Sequence, residues 1–240
     1  MFHVGSGIMN AKRSTIQSTI VVLTDFDGTI VNIDTGDFSL RQFASGDWEA
    51  IERKMIKGEL TFEECLRRQF RMINAPIDKI VKEIDEVASL RPHFIELVNY
   101  CFTKKVKLVI VSGGLDFYIR HVLNKNKLEV EVCAPKCNLD TVGLSLQFPP
   151  MSDPTSFSFK DDMVRQYRRS GYTVLYVGDG YADYYALKQA SVRFAVAGST
   201  AARLCTSDGM RFQEISNFLP VIQELDRLES GQVQNRYDST

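Results

Sequence analysis

The sequence has almost no net charge: 29 lysines and arginines face 30 aspartates and glutamates, a formal charge of −1 over 240 residues. With no long basic run, a nucleic-acid or anionic-membrane surface has no electrostatic support. No apolar stretch approaches the ~20 residues that a membrane-spanning helix needs. Histidine is scarce, and His3, His93 and His121 are too scattered to form a ligand cluster, so surface or helix-end roles are expected of them. Cysteine is also scarce, and its count of five is odd. Residues 1–18 lack the apolar core of a signal peptide. In a chain of this length these features favour reduced thiols in a cytoplasmic protein. Cys133 and Cys137 are the only close pair, and no second pair or nearby histidine completes a metal or redox site. They read as two unrelated thiols near a strand end.

Hydrophobic residues make up 44% and charged residues 25%, the balance of an ordinary folded domain. The length fits one large domain, or a core with an inserted subdomain. Both ends are polar, so residues 1–18 and 230–240 are expected to be flexible. Between them the pattern changes twice. An apolar run over 21–23 reads as a strand. A helical block of about sixty residues follows, by a coarse count of periodicity. In it Asp47 reads as a helix N-cap, and Thr61 with Glu64 as a capping box. Apolar stripes run through Phe62, Leu66, Phe70 and Ile73, then through Ile77, Ile80, Val81, Ile84 and Val87. Trp48 and these stripes are expected to be plain core.

From Arg91 helices and strands alternate. Helices are expected over 94–102, 116–125, 160–169 and 181–189, with a last one through Ile215, Phe218, Leu219, Ile222 and Leu225. Strands are expected over 106–111, 128–133, 173–177 and 192–196, with a hairpin over 139–148. This alternation predicts an α/β fold: a Rossmann-like parallel sheet with right-handed crossovers, plus an inserted all-helical subdomain. The expected core covers 19–33 and 91–229, and the helical insert covers 34–90.

Three of the strands end in polar, glycine-containing turns. These are Asp25-Phe26-Asp27-Gly28-Thr29, Ser112-Gly113-Gly114 and Gly178-Asp179-Gly180-Tyr181-Ala182-Asp183. Lys160 opens the helix before the third. In a parallel sheet all strand carboxyl ends share one edge, so these clusters converge there. Two carboxylates at i and i+2 of a strand share a face, and their repulsion calls for a cation or a proton. Such a set suits phosphoryl transfer from a monoester. One carboxylate attacks phosphorus and another carries the proton. A magnesium ion neutralises charge between hard oxygens. Hydroxyls, glycine amides and a lysine hold the phosphate oxygens. Taken singly the clusters mean less: Asp-x-Asp-Gly, Ser-Gly-Gly and Gly-Asp-Gly are common turns, and Lys160 alone is a surface lysine.

In this order and context the motifs resemble those of the haloacid dehalogenase superfamily of phosphatases, over roughly residues 20 to 225. The resemblance implies Asp25 as nucleophile and Asp27 as general acid/base. It implies phosphate binding by Thr29, Ser112, Gly113 and Lys160. It implies magnesium (Mg2+) held by Asp25, the Asp27 carbonyl and Asp179, with Asp183 in direct contact or just behind. Asp27 argues against the dehalogenases, and Gly28 with the lack of a membrane span argues against ion-pumping ATPases. The helical insert falls where the superfamily places a small cap.

Two branches with this cap type share further patterns. Phosphoserine phosphatases are echoed by Met55-x-x-Gly58-x-x-x-Phe62, Ser112-Gly113-Gly114-x-Asp116 and Gly178-Asp179-Gly180. The methionine-salvage phosphatases acting on hydroxy-ketomethylthiopentenyl-1-phosphate are echoed by Ser112-Gly113-Gly114-Leu115-Asp116-Phe117, Phe194-Ala195 and Leu204-Cys205. Asp34 falls where the first branch has a carboxylate for the substrate ammonium. Gln69 falls where that branch has an arginine, with Arg67 and Arg68 just before it, and a glutamine offers no charged fork to a carboxylate. Asp34 and Arg68 are therefore candidate substrate contacts. The expected substrate is a small phosphorylated metabolite: a methionine-salvage-type phosphoketone first, phosphoserine second. A non-catalytic phosphate- or partner-binding module and phosphotransfer to an acceptor alcohol are the other readings.

Overall fold

A computed structural model describes residues 19–230. The lead-in over 1–18, His3 within it, and the tail over 231–240 lie outside the described residues. The chain opens with β1 (Ile20–Thr24) and passes through four helices, α1 (Thr35–Phe43), α2 (Trp48–Ile56), α3 (Phe62–Phe70) and α4 (Ile77–Asp85). Then come α5 (Phe94–Lys104), β2 (Lys107–Val111), α6 (Asp116–Lys125), β3 (Glu131–Cys133) and the hairpin of β4 (Lys136–Asp140) and β5 (Gly143–Gln147). The last part comprises α7 (Phe159–Arg169), β6 (Thr173–Gly178), α8 (Tyr181–Gln189), β7 (Val192–Val196), α9 (Thr200–Ser207), β8 (Gln213–Ile215) and α10 (Leu219–Glu229).

Six strands form one sheet in the order β3-β2-β1-β6-β7-β8, and each pairing is parallel. The expected Rossmann-like α/β architecture is therefore present. Strand β1 lies at the centre and is buried along its whole length, as an unbroken aliphatic run in a doubly covered sheet should be. Its side chains alternate between two cores. Val22 packs with Phe94, Leu97, Ile119 and Leu225 of α5, α6 and α10. Val21 and Leu23 pack with Val164, Leu187 and Ala201 of α7, α8 and α9. The chain runs outward from β1 through β2 and β3 on one side, and later through β6, β7 and β8 on the other. Such a reversal opens a crevice at the carboxyl edge. Thr24, the last residue of β1, stands opposite Ile110 and Val177, so three strands end at one level.

The neck of the helical block is closed by an antiparallel bridge between Val31 and Leu90. Asp47 accepts from the Ala50 amide, and Thr61 and Glu64 form the reciprocal capping box. Phe70, Ile73, Ile80 and Ile84 of this block join the same core as the sheet. The hairpin docks on its far side, where the Leu144 amide donates to Ile73 O at 3.1 Å and Arg71 pairs with Asp140 at 2.5 Å.

Several boundaries differ from the periodicity. Helix α1 lies inside the block read as helical, but the periodicity sets no limits for it, because its buried face is Thr35, Gly36, Ser39 and Leu40 rather than large apolar groups. Helix α9 was missed for the same reason, its buried side being Ala201, Ala202 and Cys205. Ile215 ends the edge strand β8 instead of starting the last helix. Val87, placed on an apolar stripe, is 48% exposed, and Phe102 at the end of the helix expected over 94–102 is 86% exposed. All five cysteines are free thiols. Among the described residues no helix is long and apolar enough to cross a membrane.

Candidate active site

Asp25 follows β1, and its amide extends the ladder by donating to Val177 O at 2.8 Å. Its carboxylate is 5% exposed. Lys160 reaches it from the first turn of α7, where Ser158 and Asp161 form a capping box. Lys160 Nζ lies 2.8 Å from Asp25 Oδ1 and 2.7 Å from Asp183 Oδ1. Asp183 is fully buried and fully engaged. It accepts from the Tyr176 hydroxyl at 2.8 Å and from the amides of Asp179 and Gly180 at 3.1 and 2.8 Å. Its main local effect is to fix the lysine and the turn after β6.

Asp27 is held by other partners. Its Oδ1 accepts from the Thr35 amide at 3.1 Å and from the Thr35 hydroxyl, and Ser112 Oγ lies 3.4 Å from its Oδ2. Ser112 and Asp27 are 85 residues apart in the chain, so the sheet edge alone brings them together. Gly114 packs so tightly here that a Cβ on it would collide with Asp27 Oδ2.

Thr29 and Ser112 were expected on a phosphate. Both hydroxyls are instead aimed at carboxylates, Thr29 Oγ1 at Asp179 Oδ1 (3.0 Å) and Ser112 Oγ at Asp27. Both residues are fully buried, and a buried hydroxyl must find an acceptor. Two further residues escaped the sequence reading. Thr35 is the first residue of α1, and the pattern Asp34-Thr35-Gly36-Asp37 is its only signal. Arg91, where the chain re-enters the core, donates to Gly28 O and Thr29 O at 2.6 Å each and to Ser216 O at 3.3 Å. It grips the backbone of the Asp25–Thr29 turn, and nothing in the local spacing marks it.

The electrostatics follow from this crowding. Burial, the Asp183 charge and the Asp179 charge hold Asp25 well above the usual carboxylate range, against the pull of Lys160. Burial and then the neighbouring Asp34 push Asp27 up to about 7, against the Thr35 hydrogen bonds. Burial and Asp183 likewise push Asp179 up to about 7. Burial would raise Asp183 too, but Lys160 with the Gly180 amide and the Tyr176 hydroxyl together outweigh it and hold Asp183 low. Asp25, Asp179 and Asp183 each present an oxygen within 4.8 Å of the others. Three carboxylates facing one cation leave an excess of negative charge, and their hard oxygens match a magnesium ion. Gly28 adopts a left-handed φ of +66°, and a Cβ there would strike Asp179. The turn thus admits Asp179 against its backbone, and the donor set fits the metal.

Above these groups lies a cavity of about 290 Å3 between the sheet edge and helices α1–α3. Asp25, Asp27, Lys160, Asp179 and Gly113 line its floor. The helical side meets the core closely. Glu63, 7% exposed, accepts from the Phe159 amide at 3.1 Å, and Phe62 and Leu66 rest against Gly113. Asp34 lines the cavity, and its Oδ1 also caps α1 through the Asp37 amide at 2.8 Å. Arg68 does not reach the cavity. It is exposed on the outer side of α3, and the next residue, Gln69, turns inward and donates to Trp48 O at 3.1 Å. Exposed and outside the cavity lining, Arg68 makes no approach to the space where a substrate contact was expected of it. Trp48, expected in the core, is only half-buried and lines the cavity, as does Tyr181.

Comparison with known proteins bears on this geometry. A family model described as haloacid dehalogenase-like hydrolase matches residues 22–188. A 2-hydroxy-3-keto-5-methylthiopentenyl-1-phosphate phosphatase of Geobacillus thermodenitrificans is 26% identical over 220 residues, covering 89% of this chain and 99% of that protein. The protein of the same name from Brevibacillus brevis is 24% identical over 216 residues, covering 88% and 96%. Among solved structures, a phospho-aspartyl intermediate analogue of phosphoserine phosphatase aligns with a TM-score of 0.63 at 20% identity, covering 86% of this chain and 99% of that one. Phosphoserine phosphatase from T. onnurineus aligns at 0.62 and 19%, covering 89% and 98%. At such identities the structural likeness speaks for the fold.

Proposed function

The chain belongs to the haloacid dehalogenase-like hydrolase family, and from that premise we propose that it is a magnesium-dependent phosphomonoesterase that works through a phosphorylated Asp25. One observation carries the reading. Two buried carboxylates stand side by side on one sheet edge, and only Asp25 contacts Lys160, whereas Asp27 is held by neutral donors. That asymmetry separates a nucleophile from a proton carrier.

Asp25 attacks phosphorus, the P–O bond to the alcohol breaks, and Asp27 gives the departing alkoxide its proton. Asp27 then takes a proton from water, the water oxygen attacks the aspartyl phosphate, and inorganic phosphate leaves with Asp25 restored. Lys160 and Asp183 fix the Asp25 carboxylate for attack. Lys160 and the Gly113 amide bind the phosphoryl oxygens, and the Thr29 and Ser112 hydroxyls, which point at Asp179 and Asp27 in the free protein, turn to the phosphoryl oxygens once the phosphate is bound. Asp25, Asp179 and the Asp27 carbonyl, with Asp183 behind them, would hold a magnesium ion, which would supply charge neutralisation between phosphate and nucleophile. Residues 34–90 act as a cap that excludes water and reads the leaving group.

For the leaving group, a methionine-salvage-type phosphoketone is supported by the names of the curated relatives and by the apolar wall of Leu40, Trp48, Met55 and Phe70. Phosphoserine is the second reading, favoured by Asp34 at the cavity. The test is phosphate release from a panel of phosphorylated metabolites, with magnesium and with chelator. Selective, magnesium-dependent release is expected. Release that ignores the chelator, or none from any member, would leave a phosphate-binding module as the better reading.

A further inference from the structure

The side of the cavity facing the catalytic floor has an unusual charge balance. Its polar side chains are Asp34, Asp37, Glu52 and Gln69, and its apolar ones include the aromatic rings of Trp48 and Phe70. Among the described residues, Lys160 is the sole basic side chain in the lining, and it is held between Asp25 and Asp183. The nearby arginines are directed elsewhere. Arg41 pairs with Asp37 at 2.8 Å and lies over the Trp48 ring, with its side chain 60% exposed. Arg53 pairs with Asp47 and Glu49 at 3.4 and 3.8 Å on the outer face of α2. Arg67 lies over the Phe148 ring.

Asp37 is thus neutralised, whereas Glu52 and one oxygen of Asp34 face the cavity without a hydrogen-bonded or paired cation. Burial and the charges of Asp37 and Glu49 raise Glu52 above its ordinary value, against the weaker pull of Arg41 and Arg53, neither of which pairs with it. At the position where a cationic fork would stand, Gln69 is 4% exposed and tied to the Trp48 carbonyl, so it cannot swing a charge into the space.

Resting on the phosphatase reading above, we propose that this wall selects phosphomonoesters whose leaving group bears no second anion, and that it accepts an ammonium. Glu52 is the specificity-determining residue. A carboxylate or second phosphate on the leaving group would stand beside Asp34 and Glu52 with no free cation in the lining to pair it, and the like-charge repulsion works as selection against it. An ammonium would meet carboxylates and aromatic faces, both of which attract it. An uncharged chain would meet the apolar wall. The phosphoketone leaving group belongs to the permitted class, and phosphoserine does not.

Phosphoethanolamine and phosphoserine differ by one carboxylate, so they isolate the effect. Affinities are measured on the Asp25→Asn protein with magnesium, and kcat/KM on the wild type, for phosphoethanolamine, n-propyl phosphate, phosphoserine and 2-phosphoglycerate. Phosphoethanolamine and n-propyl phosphate should bind at least about tenfold tighter than phosphoserine, and 2-phosphoglycerate should bind weakest. Glu52→Gln should lower the ratio of phosphoethanolamine to n-propyl phosphate. Glu52→Lys should narrow the gap between phosphoethanolamine and phosphoserine at least about fivefold. Glu52 is exposed on a helix surface, so neither change threatens the fold. Equal or tighter binding of phosphoserine, ratios unmoved by both Glu52 variants, or no binding of any of the four overturns the proposal. If the wild type releases no phosphate while the binding order holds, the catalytic reading fails and this one stands.

Discussion

The floor and the wall of the cavity are built on opposite principles. On the floor, supplied by the carboxyl ends of β1, β2 and β6, every charged group has fixed partners. Lys160 joins two carboxylates, Asp183 takes four donors, and Asp27 is gripped by Thr35 and Ser112. On the wall, supplied by α1–α3, Glu52 is exposed and unpaired and Trp48 is half-buried. Rigid preorganisation suits a reaction common to many substrates, because misplaced groups cost rate directly. A loosely held wall suits recognition, where differences between leaving groups are small. In the proposed mechanism chemistry falls to the floor and selectivity to the wall, and substitutions on the two sides should have effects of different size and kind.

The largest effect is expected at the nucleophile. Asp25→Asn should lower kcat by about ten-thousandfold or more with an unchanged circular dichroism spectrum, and near-normal turnover would remove Asp25 from its role. Asp27→Asn should slow both formation and hydrolysis of the intermediate, by about a hundredfold to ten-thousandfold, read in single-turnover experiments. Gly114→Ala probes positioning without touching a charge. Its new methyl would push Asp27 aside, so kcat should fall about a hundredfold while magnesium-dependent thermal stabilisation persists. At the wall, Trp48→Ala should raise KM by less than about tenfold and leave kcat close to normal, since it removes contact with the leaving group only. A larger loss of kcat at Trp48 than at Gly114 would break the division between floor and wall.

The smallest effect is in stability. Asp27 and Asp179 titrate near 7 in the folded chain, against an ordinary value of 3.8. Between those values the folded state binds more protons than the unfolded one, so the stability they contribute is present below about pH 4 and is lost as pH rises through 7. Protein in chelator should therefore melt lower at pH 8 than at pH 5, and added magnesium should raise Tm more at pH 8. Equal magnesium shifts at both pH values would contradict the crowded-carboxylate picture.

Much of this floor was legible in the sequence. The limits expected for α6, α8 and β7 are those observed. The turns after β1, β2 and β6 were placed on one edge because a parallel sheet requires it. The parts that escaped have small or polar buried faces, or depend on distant contacts. Helices α1 and α9 bury threonine, serine, glycine and alanine, which carry little periodic signal. Thr35 acts on the Asp27 side chain and Arg91 on the backbone of Gly28 and Thr29, and both partnerships join segments whose spacing says little about their contact. On α3 a one-residue step turns the Arg68 side chain from cavity to solvent, and Trp48 packs against the core, as its helical spacing implies, while also lining the cavity.

The central claim is that Asp25 itself becomes phosphorylated. Borohydride reduces an aspartyl phosphate to homoserine, so the protein is quenched with it during turnover of a phosphomonoester and mapped by mass spectrometry. Homoserine at position 25, absent without substrate and absent in chelator, is the predicted result. Sustained turnover with residue 25 unmodified, or homoserine at another aspartate, would contradict the account.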